Sequence, residues 1–184
     1  RAARPRRAPG CGTRGAAQGT LTILVGGERA DFERALPTLR VLGTAHLLGP
    51  TGAGQIAKLV NQTIVAVTIG AVGEGLFLAE RAGLDPAQLS SALHGGFADS
   101  RVLREHGDRM IRRDFAPGGA NRIFLKDLDA IARLAADLSA QLPLTSRARQ
   151  AYADLAAAGC GEYDHSSYFT HLVMINDAAP PQPK

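Results

Sequence analysis

Gly49-Pro-Thr-Gly52-Ala-Gly54-Gln-Ile-Ala-Lys58-Leu-Val-Asn61-Gln62 is the stretch on which the fold of this chain turns. Before it, the residues read strand, helix, strand; after it, every segment reads helix. A glycine-rich turn lets the backbone approach a ligand closely. The helix that follows presents Lys58, Asn61 and Gln62 at i, i+3 and i+4, so they share one face. A lysine within an apolar helix is costly when charged, and burial lowers its pKa toward a range useful for proton transfer. An amide beside it can hydrogen-bond a hydroxyl or carbonyl of the same ligand. On spacing alone, a lysine snorkelling near a helix end is the slightly simpler account.

Downstream, an apolar run extends from about Gln55 to Arg81 and closes at Gly83. It is apolar on nearly every face, which predicts either a buried central helix or a membrane span. Asn61, Gln62 and Glu74 interrupt the candidate span, so a buried helix is expected, with Glu74 a hydrogen-bonded core carboxylate or a subunit contact. Asp85-Pro86 starts a short helix to about His94, and another is expected at about 100–112. Gly118-Gly119 marks a loop. Helices at about 126–140 and 144–158 follow, separated by Pro143, and a last short helix is expected at Ser166 to Ile175. Phe124-Leu-Lys126-Asp127-Leu128 thus falls at a helix start, where Asp127 suits the positive end of the dipole. An ordinary solvated first turn explains that motif as well.

Upstream, Thr20 to Val25, closed by Gly26-Gly27, predicts a strand. Phe32, Leu36 and Leu39 mark a helix over 30–39, and Ala45 to Leu48 marks a second strand. Fifty residues of β-α-β are too few for a complete doubly wound nucleotide domain. The glycines of Gly10-Cys11-Gly12-Thr13-Arg14-Gly15 and Gly19-Thr20 suggest amide groups that meet an anion. No G-x-G-x-x-G fingerprint between strand and helix occurs in the chain.

Composition narrows the function classes. The 184 residues are 45% hydrophobic and 21% charged, as in globular domains. The formal net charge is +4, but Arg1, Arg4, Arg6, Arg7 and Arg14 stand in an acid-free leader. Without those five, 16 basic residues face 17 acidic ones, so the body offers no basic face to a nucleic acid. Cys11 and Cys160 are far apart and match no metal spacing, as expected of a reducing compartment such as the cytoplasm. The histidines share no metal spacing either, and Ser166 and Ser167 lack a nucleophile elbow.

Together these motifs resemble one family. Gly12-Thr-Arg-Gly15-Ala16 through Gly19-Thr20-Leu21 and Val25-Gly26-Gly27, then Gly52-Ala-Gly54-Gln55 through Lys58 and Asn61-Gln62, then Pro117-Gly118 leading to Lys126-Asp127-Leu128, are similar to the β-hydroxyacid dehydrogenases of the 3-hydroxyisobutyrate dehydrogenase and tartronate semialdehyde reductase group. The resemblance runs from about Gly12 to Asn176. It implies a mainly α fold: a helical domain like the C-terminal domain of 6-phosphogluconate dehydrogenase, with a long central helix, after a short β-α-β remnant of a Rossmann domain. The implied organisation is an aberrant or disordered leader (1–11), the nucleotide-domain remnant (12–50), an all-helical catalytic and dimerisation domain (51–176) and a flexible tail (177–184).

The resemblance also implies NAD or NADP as cofactor and a small-molecule carboxylate as substrate. It implies a homo-oligomer through the helical domain, and neither nucleic acid nor membrane as partner. By the same resemblance, Lys58 is catalytic, Asn61 or Gln62 contacts substrate, Gly10, Cys11 and Gly12 form the substrate loop, and Lys126 and Asp127 are cofactor-binding, with Lys126 near the nicotinamide or the substrate carboxylate. Two departures stand out. The family's loop usually reads Asp-Ala-Pro-Val-Ser-Gly-Gly, whereas here the match is Arg6-Arg-Ala-Pro9-Gly10-Cys11-Gly12; a frameshifted or misassigned gene start is expected, with authentic sequence resuming near Gly12. Gly119 stands where many members carry a phenylalanine. A non-catalytic helical oligomerisation module remains the alternative for the chain by itself.

Overall fold

The computed structural model of the chain describes residue 15 and residues 17–177. The leader, the tail beyond Asp177 and the candidates Gly10, Cys11 and Gly12 lie outside the described residues. The chain forms two compact units, residues 1–62 and 63–184.

In the first unit, β1 (Leu21–Gly26) pairs in parallel with β2 (Gly43–Gly49), from Leu21↔Gly43 to Val25↔Leu47, with a slip at Gly26. A parallel pair needs a crossover, and α1 (Arg29–Leu42) supplies it. The helix α2 (Ala53–Arg81) starts directly after β2, its entry turn closed by Ala53 N–H donating to the Pro50 carbonyl at 3.0 Å. A Cβ on Gly54 would lie 2.5 Å from the Leu24 carbonyl oxygen, and one on Gly26 2.5 Å from that of Pro50. These two glycines therefore let β1 and the first turn of α2 meet backbone to backbone. In this unit the glycine-rich turn spends that closeness on its own strand, where the sequence suggested a ligand.

The second unit holds the core. It is assembled from the rest of α2, α3 (Pro86–Leu93), a π-helical turn (Leu103–Gly107), α4 (Asp108–Arg112), α5 (Asn121–Asp137), α6 (Pro143–Ala157), a 3-10 turn (His165–Ser167) and α7 (Tyr168–Asp177). Phe124, Leu128 and Ile131 recur at i, i+4 and i+7 and form the buried stripe of α5. Phe124 meets Tyr152 of α6 edge-on at 5.0 Å. Tyr168 of α7 fills the groove left by Gly70 and Gly73 of α2, where added Cβ atoms would come within 3.3 and 3.2 Å of its ring.

Several elements depart from the sequence reading. The apolar run of α2 is not buried all round: Ala66, Ile69, Leu76 and Ala79 face the core, whereas Ile64 and Leu78 are exposed. By length and composition α2 could cross a membrane, yet one of its stripes is occupied by this core. Glu74 is exposed, which corrects its expected place as a core carboxylate. The 100–112 segment is interrupted by the π-helical turn.

The correction that matters most concerns α5. It begins at Asn121, five residues before the expected start, so Lys126 and Asp127 stand in its second turn rather than its first. No side chain caps the helix locally. Its leading amides are satisfied from a distant loop instead: Asn121 N–H donates to the Tyr163 carbonyl and Arg122 N–H to that of Gly161, both at 2.9 Å.

Candidate functional site

The first group of candidates lies on the opening turns of α2. Lys58 and Asn61 are exposed and Gln62 is half-buried. Lys58 has no hydrogen-bond or ion-pair partner among the described residues, so the burial invoked for it in the sequence is not supplied within its unit. The neighbouring amides are hydrogen-bonded to each other: Asn61 Nδ2 donates to Gln62 Oε1 at 3.0 Å. The face therefore presents an ammonium one helical turn before a hydrogen-bonded amide pair. Ile56, Val60 and Ile64 make an exposed apolar stripe on the same helix.

The second group lies on α5, within the helical unit. Lys126 is exposed and Asp127 half-buried. The turn that carries them is tied down at its start. Asn121, fully buried, donates from Nδ2 to the Cys160 carbonyl at 2.9 Å and to Ser167 Oγ at 2.8 Å. Ala120 and Asp164 form an antiparallel bridge, and His165 N–H donates to the Gly119 carbonyl at 3.1 Å.

Asp164 is the centre of this junction, and the sequence reading passed it over. Gly119 N–H donates to its Oδ2 at 3.0 Å; the Ser166 N–H and hydroxyl donate to its Oδ1 at 3.0 and 2.7 Å. Arg109 Nη1 and His106 Nδ1 approach the carboxylate at 3.4 Å each, an ionic range rather than a well-formed hydrogen bond. Burial pushes this carboxyl up; the His106 imidazole and the Gly119 and Ser166 donors outweigh burial and hold it well below the usual carboxylate range. His165, stacked on Phe124 at 4.1 Å, behaves oppositely. Burial pushes its imidazole down to about 4, against the pull of Asp164, so it is neutral at pH 7.

Asp164 followed two residues later by Ser166, just ahead of the apolar 168–175 run, is a turn-and-cap signature legible in sequence. Its remaining partners, 45 to 58 residues away, are not. Gly119, the second departure noted above, sits directly on this junction. A Cβ there would lie 2.6 Å from His165 Cε1, so the ring takes the space of any side chain at that position. A cavity of about 380 Å³ between α5 and α6, walled by Ile131, Ala135, Leu142 and Thr145, is lined by none of the candidate residues.

Comparison with known proteins agrees with this layout. Residues 52–172 match the model described as the NAD-binding domain of NADP-dependent 3-hydroxyisobutyrate dehydrogenase. Residues 10–61 match that of the NAD-binding domain of 6-phosphogluconate dehydrogenase. The chain is 45% identical over 162 residues to 2-hydroxy-3-oxopropionate reductase of Escherichia coli strain K12, covering 88% of this chain and 56% of that protein. The crystal structure of 3-hydroxyisobutyrate dehydrogenase from Salmonella typhimurium superposes with a TM-score of 0.80 at 30% identity, covering 86% of this chain and 56% of the other. The Mycobacterium tuberculosis 3-hydroxyisobutyrate dehydrogenase solved with L-serine gives 0.78 at 30% identity, covering 86% and 57%. The chain thus spans just over half the length of these relatives. With one family model covering residues 52–172, the glycine–lysine–asparagine motif opening α2 and Lys-Asp-Leu on α5, the chain belongs to the β-hydroxyacid dehydrogenase family.

Proposed function

We propose that this chain is the lysine-bearing half of an NAD(P)-dependent reductase of small β-hydroxyacids, acting between a semialdehyde and its alcohol in the manner of 3-hydroxyisobutyrate or tartronate semialdehyde. The observation that carries this is the opening face of α2. An exposed Lys58, with no partner among the described residues, stands one turn before the Asn61–Gln62 amide pair, inside the region matched to the family.

On α2 the donors fit a nicotinamide reaction: an exposed ammonium and a hydrogen-bonded pair of amides. When bound, the nicotinamide supplies or takes up hydride. The chain's own residues handle the rest. As the aldehyde is reduced, negative charge grows on its oxygen; Lys58 Nζ stabilises that charge and delivers the proton, and the neutral amine accepts it in reverse. Asn61 and Gln62 hold the reacting oxygen or its neighbouring hydroxyl. Lys126, with Asp127 beside it, binds the carboxylate end and so fixes the orientation of the carbonyl. Gly10-Cys-Gly12-Thr-Arg-Gly15 precedes the first strand instead of linking a strand to a helix, so in this reading residues outside the chain hold the cofactor's diphosphate, and the 184 residues alone are inactive. The family reading also implies a cytoplasmic enzyme that self-associates through its helical unit, for which the exposed apolar stripe of α2 is the available surface.

The test is Lys58→Ala in the enzyme that contains this chain. Turnover should fall by about 10²–10⁴-fold with cofactor affinity nearly unchanged, and Lys58→Arg should not rescue, because a guanidinium cannot cycle its proton. Retention of more than about a tenth of kcat would remove Lys58 from the chemistry.

A further inference from the structure

A buried carboxylate needs a reason. Asp164 has a side chain only 3% exposed, and capping the three-residue turn His165–Ser167 would be served by a serine or an asparagine. Its second oxygen does something else: it takes the Gly119 amide, 45 residues away. Arg109 is shared between the same two loops, donating from Nε to the Asp114 carbonyl at 2.9 Å and, from Nη2, to that of Ala116, while its Nη1 faces Asp164. The Asp114–Gly119 loop is thus pinned, at both its ends, to one carboxylate and one guanidinium. That loop leads straight into α5.

The amides at the start of α5 are already taken by the Gly161 and Tyr163 carbonyls. They are not available to an incoming anion, so a carboxylate at this helix must be met by side chains, and Lys126 is the cation in its second turn. Where Lys126 points is set by the rotation of α5 about its axis. That rotation is set by the junction at Gly119, Asn121 and Asp164. A Cβ at Gly119 would strike the His165 ring, so no side chain fits between this loop and the imidazole.

We propose that Asp164 is a positioning residue: its bond to the Gly119 amide, with Arg109 as counter-charge, fixes the start of α5 so that Lys126 meets the substrate carboxylate. This rests on the reading of Lys126 given above. Asp164 touches neither substrate nor cofactor in this account. Its contribution is the bearing of a residue seven positions beyond its partner Gly119: the rotation of α5, and with it the aim of Lys126.

The experiment compares Asp164→Asn, Lys126→Ala and the double variant in the enzyme that contains this chain. Asparagine keeps an acceptor and removes the charge that holds Arg109. Two quantities are read: KM for the semialdehyde against kcat, and the dissociation constant of D-glycerate, the alcohol product of tartronate semialdehyde, by calorimetry. Asp164→Asn should raise both KM and the glycerate dissociation constant at least tenfold while kcat changes less than threefold. Its effect should vanish when Lys126 is already alanine, because the two substitutions remove one interaction. Gly119→Ala, which leaves Asp164 intact but drives a Cβ into His165, should reproduce the loss of affinity and serves if Asp164→Asn does not fold. If Lys126→Ala weakens binding but neither Asp164→Asn nor Gly119→Ala does, or if the effects simply add, the positioning role is overturned. If Lys126→Ala itself leaves both quantities unchanged, the reading of Lys126 falls, and this inference falls with it.

Discussion

The two compact units handle their apolar residues in opposite ways. In the helical unit Ile69, Met110, Phe124, Tyr152, Leu155 and Phe169 are almost completely buried. In the β-α-β unit α1 buries nothing, and Val41, Leu42, Leu48 and Val60 face outward. A two-stranded sheet with one crossover helix cannot close a core, and its strands keep unpaired edges. Helices α2 and α5 to α7 close theirs by interdigitation. The comparison teaches that the family matches run through both units, whereas the closed apolar core lies in the helical one.

The largest expected effect would break the comparison outright if it failed. Phe124→Ala removes the ring that packs on both Tyr152 and His165 and should cost about 3–5 kcal/mol. Leu48→Ala, at a half-exposed strand position, should cost less than about 1 kcal/mol. Urea unfolding of the two variants reads the difference, and equal losses would mean the units share one core.

Acid should act on the helical unit next. His165 has its pKa lowered to about 4 when folded, against about 6.5 unfolded. Between those values the unfolded chain binds a proton that the folded chain refuses, so stability falls as pH drops from 6.5 toward 4, by on the order of 3 kcal/mol. His171, also lowered by burial, adds in the same direction. Asp164 joins only below the ordinary carboxylate range: its depressed folded pKa gives stability that is present above that range and lost beneath it. Midpoints of urea unfolding at pH 7 and pH 4.5 measure this. A flat profile, or one that His165→Phe leaves unchanged, would show that the imidazole is not held neutral.

The smallest effect sharpens the picture of the first unit. Gly54→Ala forces a Cβ to within 2.5 Å of the Leu24 carbonyl, and rigid backbone on both sides should make it cost about 1–3 kcal/mol. Hydrogen exchange should accelerate in β1 and β2, while amides of α5 and α6 keep their protection. Acceleration throughout would again argue for one cooperative body.

The architecture was largely legible before any coordinates. Strand, helix and strand, then helices from about Gln55 onward, follow from β-rich runs, glycine stops and 3.6-residue periodicity, and Lys58, Asn61 and Gln62 share a face by helix geometry alone. The misreadings have a common origin. The uniform apolarity of α2 does not say which stripe its own chain covers, so Glu74 was placed inside when it is outside. The start of α5 was set five residues late, because nothing local caps it and Asn121 is held by Cys160 and Ser167.

By itself, then, the sequence determined the order of elements, the position of the lysine-bearing helix and the family. Each of these is written in residues within a few positions of one another, where periodicity and turn chemistry act. Only the tertiary structure decided the exposed state of Lys58, the second-turn place of Lys126 and the convergence of donors on Asp164. A buried carboxylate is tolerated only where donors converge on it, and here they come from Arg109, Gly119 and Ser166. Such convergence depends on how distant segments pack, and no local pattern of residues records it.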